Sequence, residues 1–412
     1  MLRVTVHRAT NQIGGNCIEI ATASGERIIL DAGRPLDAPK GATGLLPESL
    51  SLDAPVDGVL ISHPHQDHYG LLEELPAHWP IYSGEVAARL MHLTASIFGE
   101  APVRDYRRWQ SGKPVSIGPF RVTPHLTDHS AFDAYMLLIE ACGKRIVYSG
   151  DFRAHGRKSA LVRRMMESPP PDIDVLLMEG TNLGSDKATI SEADLESAFI
   201  GLFRATKGRA FVCWSAQNVD RTVTLYRACL QAKRTLVVDL YTAEVLELLA
   251  DAGRLPRPGW PNLKVVITSA FARMYRRKGK EEFVARMAVH GISAARLAQS
   301  TGDWAIMIRP SLMRDFTKNG VIPTGDDAWS FSQWRGYLEQ PDGIELKEWF
   351  QDGGAATRHI HTSGHASVAD LKAFAAAVKP KTLVPIHGVA WDSHNEGFSN
   401  IVRLCDGEVF TL

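Results

Sequence analysis

A dense group of potential metal ligands follows an apolar stretch near the start of the chain. The stretch VDGVLIS (56–62) runs directly into HPHQDH, which contains His63, His65, Asp67 and His68. Imidazole suits Zn²⁺, Fe and Mn²⁺, and a carboxylate adds a charged oxygen ligand. Two histidines separated by one residue face the same way in an extended segment, while a turn brings Asp67 and His68 towards a neighbouring ion. The segment therefore predicts a metal site rather than a histidine-rich surface loop.

The elements around this segment change character along the chain. Short β-rich runs broken by GG and SG fill residues 2–31, and a helix is expected from about Asp67. From about residue 191, helical and strand patterns alternate, which is typical of βαβ units on a parallel sheet. A charged helix is expected near 276–290. The sequence therefore indicates an α/β protein with two differently built parts.

Length and charge narrow the class of protein. The chain has 412 residues, with 46 Lys plus Arg balanced by 46 Asp plus Glu. This length predicts two domains, and the zero net charge argues against binding nucleic acid by bulk charge, though not against a local basic groove. An 18-residue apolar run and an apolar signal core are both missing from the sequence, and the five cysteines are scattered. We expect a cytoplasmic protein with reduced thiols and no membrane partner.

Landmarks of a known family occur in order along the chain. HPHQDH resembles the HxHxDH signature of the metallo-β-lactamase superfamily. Asp31 in LDAG resembles the superfamily's first motif, His129 in TDHSAFDAY its third and Asp151 in YSGDF its fourth. In this superfamily the first-motif carboxylate orients ligands, so the resemblance implies that role for Asp31.

Three further segments are similar to the β-CASP branch, the nucleases typified by ribonuclease J and the cleavage-and-polyadenylation endonuclease. Glu179 in LLMEGTNLG looks like motif A, His365 in HTSGHAS like motif B and His387 in LVPIHG like motif C. The resemblance implies a metallo-β-lactamase αββα sandwich with an inserted α/β β-CASP domain. We expect domain boundaries of 1–183 and 356–412 for the outer domain and 184–355 for the insert.

The resemblance also implies the ligands of two metal ions, expected to be Zn²⁺ with Mn²⁺ as an alternative. One ion is expected to be bound by His63, His65 and His129. The other is expected to be bound by Asp67, His68 and His387. Asp151 and a hydroxide would bridge the two ions, with Asp67 and Asp151 counted among the catalytic groups.

The departing oxygen of a phosphodiester needs a proton. The resemblance implies that His365 is the general acid and that Glu179 holds its imidazolium. His361 and Ser363 are candidate phosphate ligands because SGHAS presents small residues near a helix start.

Two segments of the insert are candidates for substrate contacts. Ser215, Asn218 and Arg221 in WSAQNVDR follow a strand and open a helix, so they are expected either to bind phosphate or simply to cap the helix. The basic run 273–280 is expected either to follow a nucleic-acid backbone or to form a solvated helix face.

The predicted function is a metal-dependent hydrolase that cleaves RNA phosphodiester bonds through a metal-bridged hydroxide, acting on single-stranded RNA. A histidine in motif C, His387, is typical of the RNA-directed members of the branch. The alternatives are the same chemistry on DNA or on a small phosphodiester or ester, and a catalytically silent scaffold subunit in RNA processing. Endonuclease or exonuclease mode and oligomeric state are left open.

Overall fold

The computed structural model describes residues 1–99, 104–185, 189–299 and 302–412. It divides into two compact units. The first comprises Met1–Ala95, Glu100–Ala188 and Gly364–Leu412, and the second comprises Ser96–Gly99 and Thr189–Ser363. The boundaries expected from the sequence lie close to these positions but do not coincide with them.

The first unit contains two mixed β-sheets. The seven strands of one sheet are β1 (Leu2–Arg8), β2 (Cys17–Thr22), β3 (Arg27–Leu30), β4 (Gly58–Leu60), β5 (Ile81–Gly84), β6 (Tyr106–Trp109) and β20 (Val409–Thr411), in the order β20-β1-β2-β3-β4-β5-β6. The six strands of the other are β7 (Val115–Ile117), β8 (Phe120–Leu126), β9 (Tyr135–Ala141), β10 (Lys144–Tyr148), β11 (Val175–Met178) and β19 (Thr382–Pro385), in the order β19-β11-β10-β9-β8-β7.

The two sheets share one apolar core, and helices cover their outer faces. Val, Ile and Leu side chains from both sheets form a single buried cluster, as expected for strands rich in β-branched residues. On the first sheet lie α1 (Gln66–Tyr69) and α2 (Glu85–Phe98), and on the second lie α3 (Ser159–Glu167) and α12 (Val368–Val378). The predicted αββα sandwich is therefore confirmed.

The second unit is built on one parallel sheet. Its strands are β12 (Ala210–Cys213), β13 (Thr235–Asp239), β14 (Leu263–Val266), β15 (Gly291–Ile292), β16 (Trp304–Met307), β17 (Ala328–Phe331) and β18 (Ala356–Arg358), in the order β15-β14-β13-β16-β12-β17-β18. Its helices are α4 (Glu192–Ala205), α5 (Val219–Ala232), α6 (Leu240–Leu248), α7 (Ser269–Arg277), α8 (Glu281–Val289), α9 (Ala294–Gln299), α10 (Pro310–Lys318) and α11 (Pro341–Asp352). The alternation predicted from residue 191 onwards is confirmed.

Two helix predictions were wrong in detail. The charged helix expected near 276–290 is two helices, α7 and α8, separated at Gly279, whose φ of +71° favours glycine. The helix expected from Asp67 ends after a single turn at Tyr69 and gives way to a short 3₁₀ turn, Leu72–Glu74. Among the described residues, no helix combines the length and the apolar character needed to cross a membrane.

Candidate metal centre

Potential ligands from distant parts of the first unit converge at one edge of its sheets. One group consists of His63, His65 and His129, and the other of Asp67, His68, Asp151 and His387. Within each group, one ligand-type atom per residue lies within 4.8 Å of every other. Most of these residues follow the carboxyl end of a strand, namely β4, β8, β10 or β19. The fold thus brings together the seven side chains that the sequence predicts as metal ligands.

Backbone hydrogen bonds hold the HPHQDH segment in place. The amide of Ala32 donates to the carbonyl of His68 at 2.8 Å, and the amide of Asn16 donates to the carbonyl of Asp67 at 3.1 Å. A Cβ atom at Gly33 would lie only 1.7 Å from the Asp67 carbonyl oxygen. Only glycine therefore allows the LDAG segment to approach this closely.

The carboxylate of Asp31 orients one imidazole of the second group. It accepts hydrogen bonds from His68 Nδ1 at 2.7 Å, from Tyr148 Oη at 2.5 Å and from the amide and hydroxyl of Ser62 at 2.7 and 2.8 Å. The residue is fully buried and has a left-handed φ of +59°. His68 Nε2 lies 3.0 Å from Asp151 Oδ2, and although burial lowers the pKa of His68, the carboxylates of Asp151, Asp31 and Asp67 outweigh it and raise that pKa well above its ordinary value. A metal ion at this position would replace the Nε2 proton, while Asp31 keeps Nδ1 as the donor.

Asn16, which was not predicted as a site residue, orients the imidazole of His387 in this group. Its Oδ1 accepts from His387 Nδ1 at 2.8 Å, while its Nδ2 donates to Tyr148 Oη at 3.1 Å. Through Tyr148 the chain of hydrogen bonds continues to Asp31 and His68. A polar Asn between GG and the apolar strand CIEIA was the available signal.

Several ligand-type atoms are buried without a hydrogen bond. Among the described residues, His63 Nε2, His387 Nε2 and Asp151 Oδ1 have no hydrogen-bond partner. An unsatisfied buried polar atom is costly, typically about 1–3 kcal/mol. Cations placed among these atoms would satisfy them, so the residues present fit a metal site.

The protonation of the three-histidine group agrees with that fit. Burial lowers the pKa of His63 and of His129 well below the ordinary value, and it lowers the pKa of His65 to about 4. The Nδ1 of His129 donates to the Gly364 carbonyl at 2.6 Å, which leaves Nε2 facing His65 Nδ1 at 3.2 Å. Neutral imidazoles are the form that binds metal.

Next to the metal ligands, Glu179 and His365 form a hydrogen-bonded acid–base pair. His365 Nδ1 lies 3.0 Å from Glu179 Oε2, and Glu179 Oε1 accepts from the amide of Phe152 at 3.0 Å. Burial lowers the pKa of His365, but the carboxylates of Glu179 and Asp151 outweigh it and raise that pKa to about 9. In the metal-free chain His365 is therefore an imidazolium at neutral pH.

The residues predicted to contact substrate all lie in the second unit. Asn218 caps α5 and accepts from the amide of Arg221 at 3.0 Å, whereas Ser215 is exposed. The guanidinium of Arg221 is fully buried and pairs with Glu192 at 3.2 Å. This pairing favours a structural role for Arg221, and phosphate binding by Ser215 and Asn218 stays a prediction.

His361 and Ser363 are both partly buried. Burial, together with the charge of Arg221, lowers the pKa of His361 to about 3, so this imidazole is neutral at pH 7. A neutral imidazole offers a phosphate a single N–H donor and no charge. Phosphate binding by these two residues also stays a prediction.

Comparison with known proteins identifies the family. Residues 10–180 match the family model described as metallo-beta-lactamase superfamily, and residues 355–392 match the Zn-dependent metallo-hydrolase RNA specificity domain. The chain belongs to the metallo-β-lactamase superfamily. The predicted β-CASP branch is confirmed as well, because the metallo-β-lactamase segment and the second family segment occur together with similarity to ribonuclease J proteins along 94% of the chain.

Two curated relatives show how far this similarity extends. Ribonuclease J of Helicobacter pylori strain B128 is 24% identical over 408 residues, which cover 94% of this chain and 56% of that protein. Ribonuclease J of Sinorhizobium meliloti is 24% identical over 420 residues, covering 93% and 69%. The chain thus spans little more than half of the length of the Helicobacter relative.

A solved structure shares the whole fold. The crystal structure of a protein of unknown function from Enterococcus faecalis V583 superposes with a TM-score of 0.79 and covers 100% of both chains. The two sequences are 19% identical. At that identity the likeness concerns the fold alone.

Proposed function

We propose that this chain is a metal-dependent hydrolase that cleaves phosphodiester bonds in single-stranded RNA with two Zn²⁺ ions. The observation that carries the proposal is the convergence of seven ligand-type side chains, several with buried atoms that lack a hydrogen bond. The similarity to proteins named ribonuclease J and to an RNA specificity domain supports RNA as the polymer.

The two groups of side chains would hold one ion each. The three-histidine group would hold one ion, and Asp67, His68 and His387 the other. Asp151 would serve both, because its Oδ2 lies 3.0 Å from His68 Nε2 and 3.7 Å from His63 Nε2. When bound, such a pair of ions supplies Lewis acidity and a water of lowered pKa for attack on phosphorus.

The protein's own acid in this proposal is His365. Glu179 engages Nδ1 of the imidazole, so Nε2 carries the proton that is passed to the departing oxygen. The carboxylate also stabilises the imidazolium before transfer and fixes the plane of the ring. Bound cations would lower the His365 pKa from its metal-free value towards neutrality, which suits a general acid.

Cleavage of labelled single-stranded RNA by the zinc-loaded protein tests the proposal. We expect wild-type protein to cut the RNA, and His65→Ala and Asp151→Asn to lose most of that activity. His78→Ala is the matched control, because His78 is exposed and lies outside both ligand groups. Equal activity of wild type and His65→Ala would attribute the cleavage to a contaminant.

The same assay separates the alternatives. Single-stranded DNA of the same sequence and a small chromogenic phosphodiester are run in parallel with the RNA. Preference for the small ester, with no binding of either polymer, would overturn RNA as substrate while leaving the hydrolase chemistry intact. Fewer than one metal ion per purified chain, together with no cleavage of any substrate, would indicate a silent scaffold.

A further inference from the structure

Helix α7 in the second unit presents a face made almost entirely of arginine. Arg273, Arg276 and Arg277 are exposed, and their spacings of three and four residues place them side by side on the helix. The opposite side is buried through Phe271 and Tyr275. The Tyr275 ring stacks on Phe283 of α8 with centroids 5.6 Å apart, which fixes the rotation of α7 about its axis and keeps the arginines turned outwards. We call the side chains of Arg273, Arg276, Arg277 and Lys278 the α7 basic face.

The charge of this face is not neutralised by the protein. Residues 269–280 contain five cationic side chains and no carboxylate. Within the part of the chain that the structure describes, no carboxylate forms an ion pair with any of the three arginines, whereas the nearby Lys280 pairs with Glu244 at 2.5 Å. Like charges one turn apart on a helix repel one another, so the face is a concentrated positive potential on a chain of zero net charge.

An open surface pocket lies on this face. Its volume is about 480 Å³, and it is lined by Ala270, Arg273, Met274, Arg277 and Lys278. The lining therefore combines small and thioether side chains with cationic groups. Arginine binds phosphate oxygens through paired N–H donors and also stacks on planar bases. A single-stranded nucleic acid offers both partners, a regular series of phosphates and exposed flat bases.

We propose that the α7 basic face binds the sugar–phosphate backbone of single-stranded RNA, with the RNA assignment resting on the function proposed above. The surface belongs to the second unit, whereas all seven candidate metal ligands belong to the first. It is therefore a binding surface that works without the metal centre. A membrane is a poorer partner, because α7, which is described along its whole length, exposes no large apolar side chain for insertion.

The test measures binding in the absence of cleavage. Anisotropy of a labelled single-stranded RNA of about 20 nucleotides, longer than one typical single-strand site, is titrated with metal-free protein in chelator. The variant is Arg273→Gln/Arg276→Gln/Arg277→Gln. Each phosphate that the protein no longer neutralises makes the negative slope of log affinity against log salt shallower by about 0.7. This corresponds to about a fivefold loss of affinity at 0.1 M salt. Removing all three arginines should therefore weaken binding by roughly 100-fold and make the slope shallower by about 2.

A matched variant removes the same charge from the same unit. Arg227→Gln/Arg286→Gln/Arg314→Gln alters three exposed arginines, each paired with a glutamate in the structure. We expect it to bind RNA nearly as tightly as wild type. Equal weakening by the two triple variants would reduce the effect to bulk charge and overturn the proposal, as would wild-type binding by the α7 variant. Thermal unfolding checks that both variants are folded, and an Arg→Lys version of the α7 triple should retain most of the salt slope.

Failure of this inference is distinguishable from failure of the proposed function. If zinc-loaded wild type cuts RNA but the α7 triple variant binds with unchanged affinity and slope, the surface is refuted and the function stands. If wild type cuts no RNA but metal-free binding depends on the three arginines, the hydrolase is refuted and the surface stands.

Discussion

Replacement of Asn16 by alanine should weaken one of the two metal sites and spare the other. The substitution removes the acceptor of His387 Nδ1, at 2.8 Å, and the donor to Tyr148 Oη, at 3.1 Å. His387 can then rotate or change tautomer, so Nε2 is no longer held as the ligand atom. Loss of such an orienting partner typically costs about 10–100-fold in metal affinity, or about 1.4–2.8 kcal/mol.

Zinc titration against a fluorescent chelator measures this effect. We expect two binding steps in the wild type and a shift of only one of them in Asn16→Ala, because the Asn16 side chain bonds to His387 and Tyr148, which lie outside the three-histidine group. The visible spectrum of the Co²⁺-loaded protein provides a second readout of geometry. Asn16→Asp keeps an acceptor for His387 and should recover part of the affinity.

Two reference variants make the result interpretable. His387→Ala removes the ligand itself and should weaken the same step by more than Asn16→Ala does. Asn319→Ala removes an asparagine that donates to the Asp315 carbonyl in the second unit, and it should leave both steps unchanged. A folded Asn16→Ala protein with wild-type zinc affinities and an unchanged Co²⁺ spectrum would refute the orienting role.

Three further predictions concern stability. Zinc at 100 times its dissociation constant should stabilise the fold by about 2.7 kcal/mol in denaturant unfolding, and equal stability with and without zinc would contradict a native metal site. Arg221→Ala should lower the free energy of unfolding by about 3–5 kcal/mol, because it removes the cation that is paired with the buried carboxylate of Glu192. Arg227→Ala alters an exposed arginine and should lower the free energy of unfolding by less than about 1 kcal/mol. Burial lowers the His361 pKa from 6.5 to about 3 in the folded chain, so the unfolded chain takes up the proton first and stability should fall as the pH drops through this interval. His361→Asn should lose that part of the pH dependence, and an unchanged acid profile would show that other groups cause it.

The candidate metal ligands were identified from the sequence in two steps of unequal difficulty. The residues of HPHQDH are adjacent, so their density alone indicates a metal site. His129, Asp151 and His387 are isolated in the sequence, and only their resemblance to family motifs identified them as partners. Their convergence follows from a topology in which strands far apart in sequence end at the same edge of the unit.

Side-chain contacts outside the family motifs could not be predicted from the sequence. Asn16 and His387 are 371 positions apart, and nothing in either neighbourhood indicates that they meet. From the sequence Arg221 is expected either to bind phosphate or to belong to a helix cap, and its burial against Glu192, 29 positions earlier, is visible only in the structure. Charge and spacing are visible in a sequence, whereas burial and pairing depend on the tertiary fold.

The first unit can be completed only late in synthesis, because its last segment follows the inserted second unit in the sequence. The N-terminal strand β1 is paired with β20, and β11 is paired with β19, so both sheets lack a strand until the residues beyond 381 have left the ribosome. His365 and His387 also emerge only after the complete inserted unit. A nascent chain released before this point contains the histidine-rich segment but cannot enclose it. Metal binding at the proposed centre would therefore be a late event of synthesis, and products truncated within the insert should have an open sandwich that favours aggregation.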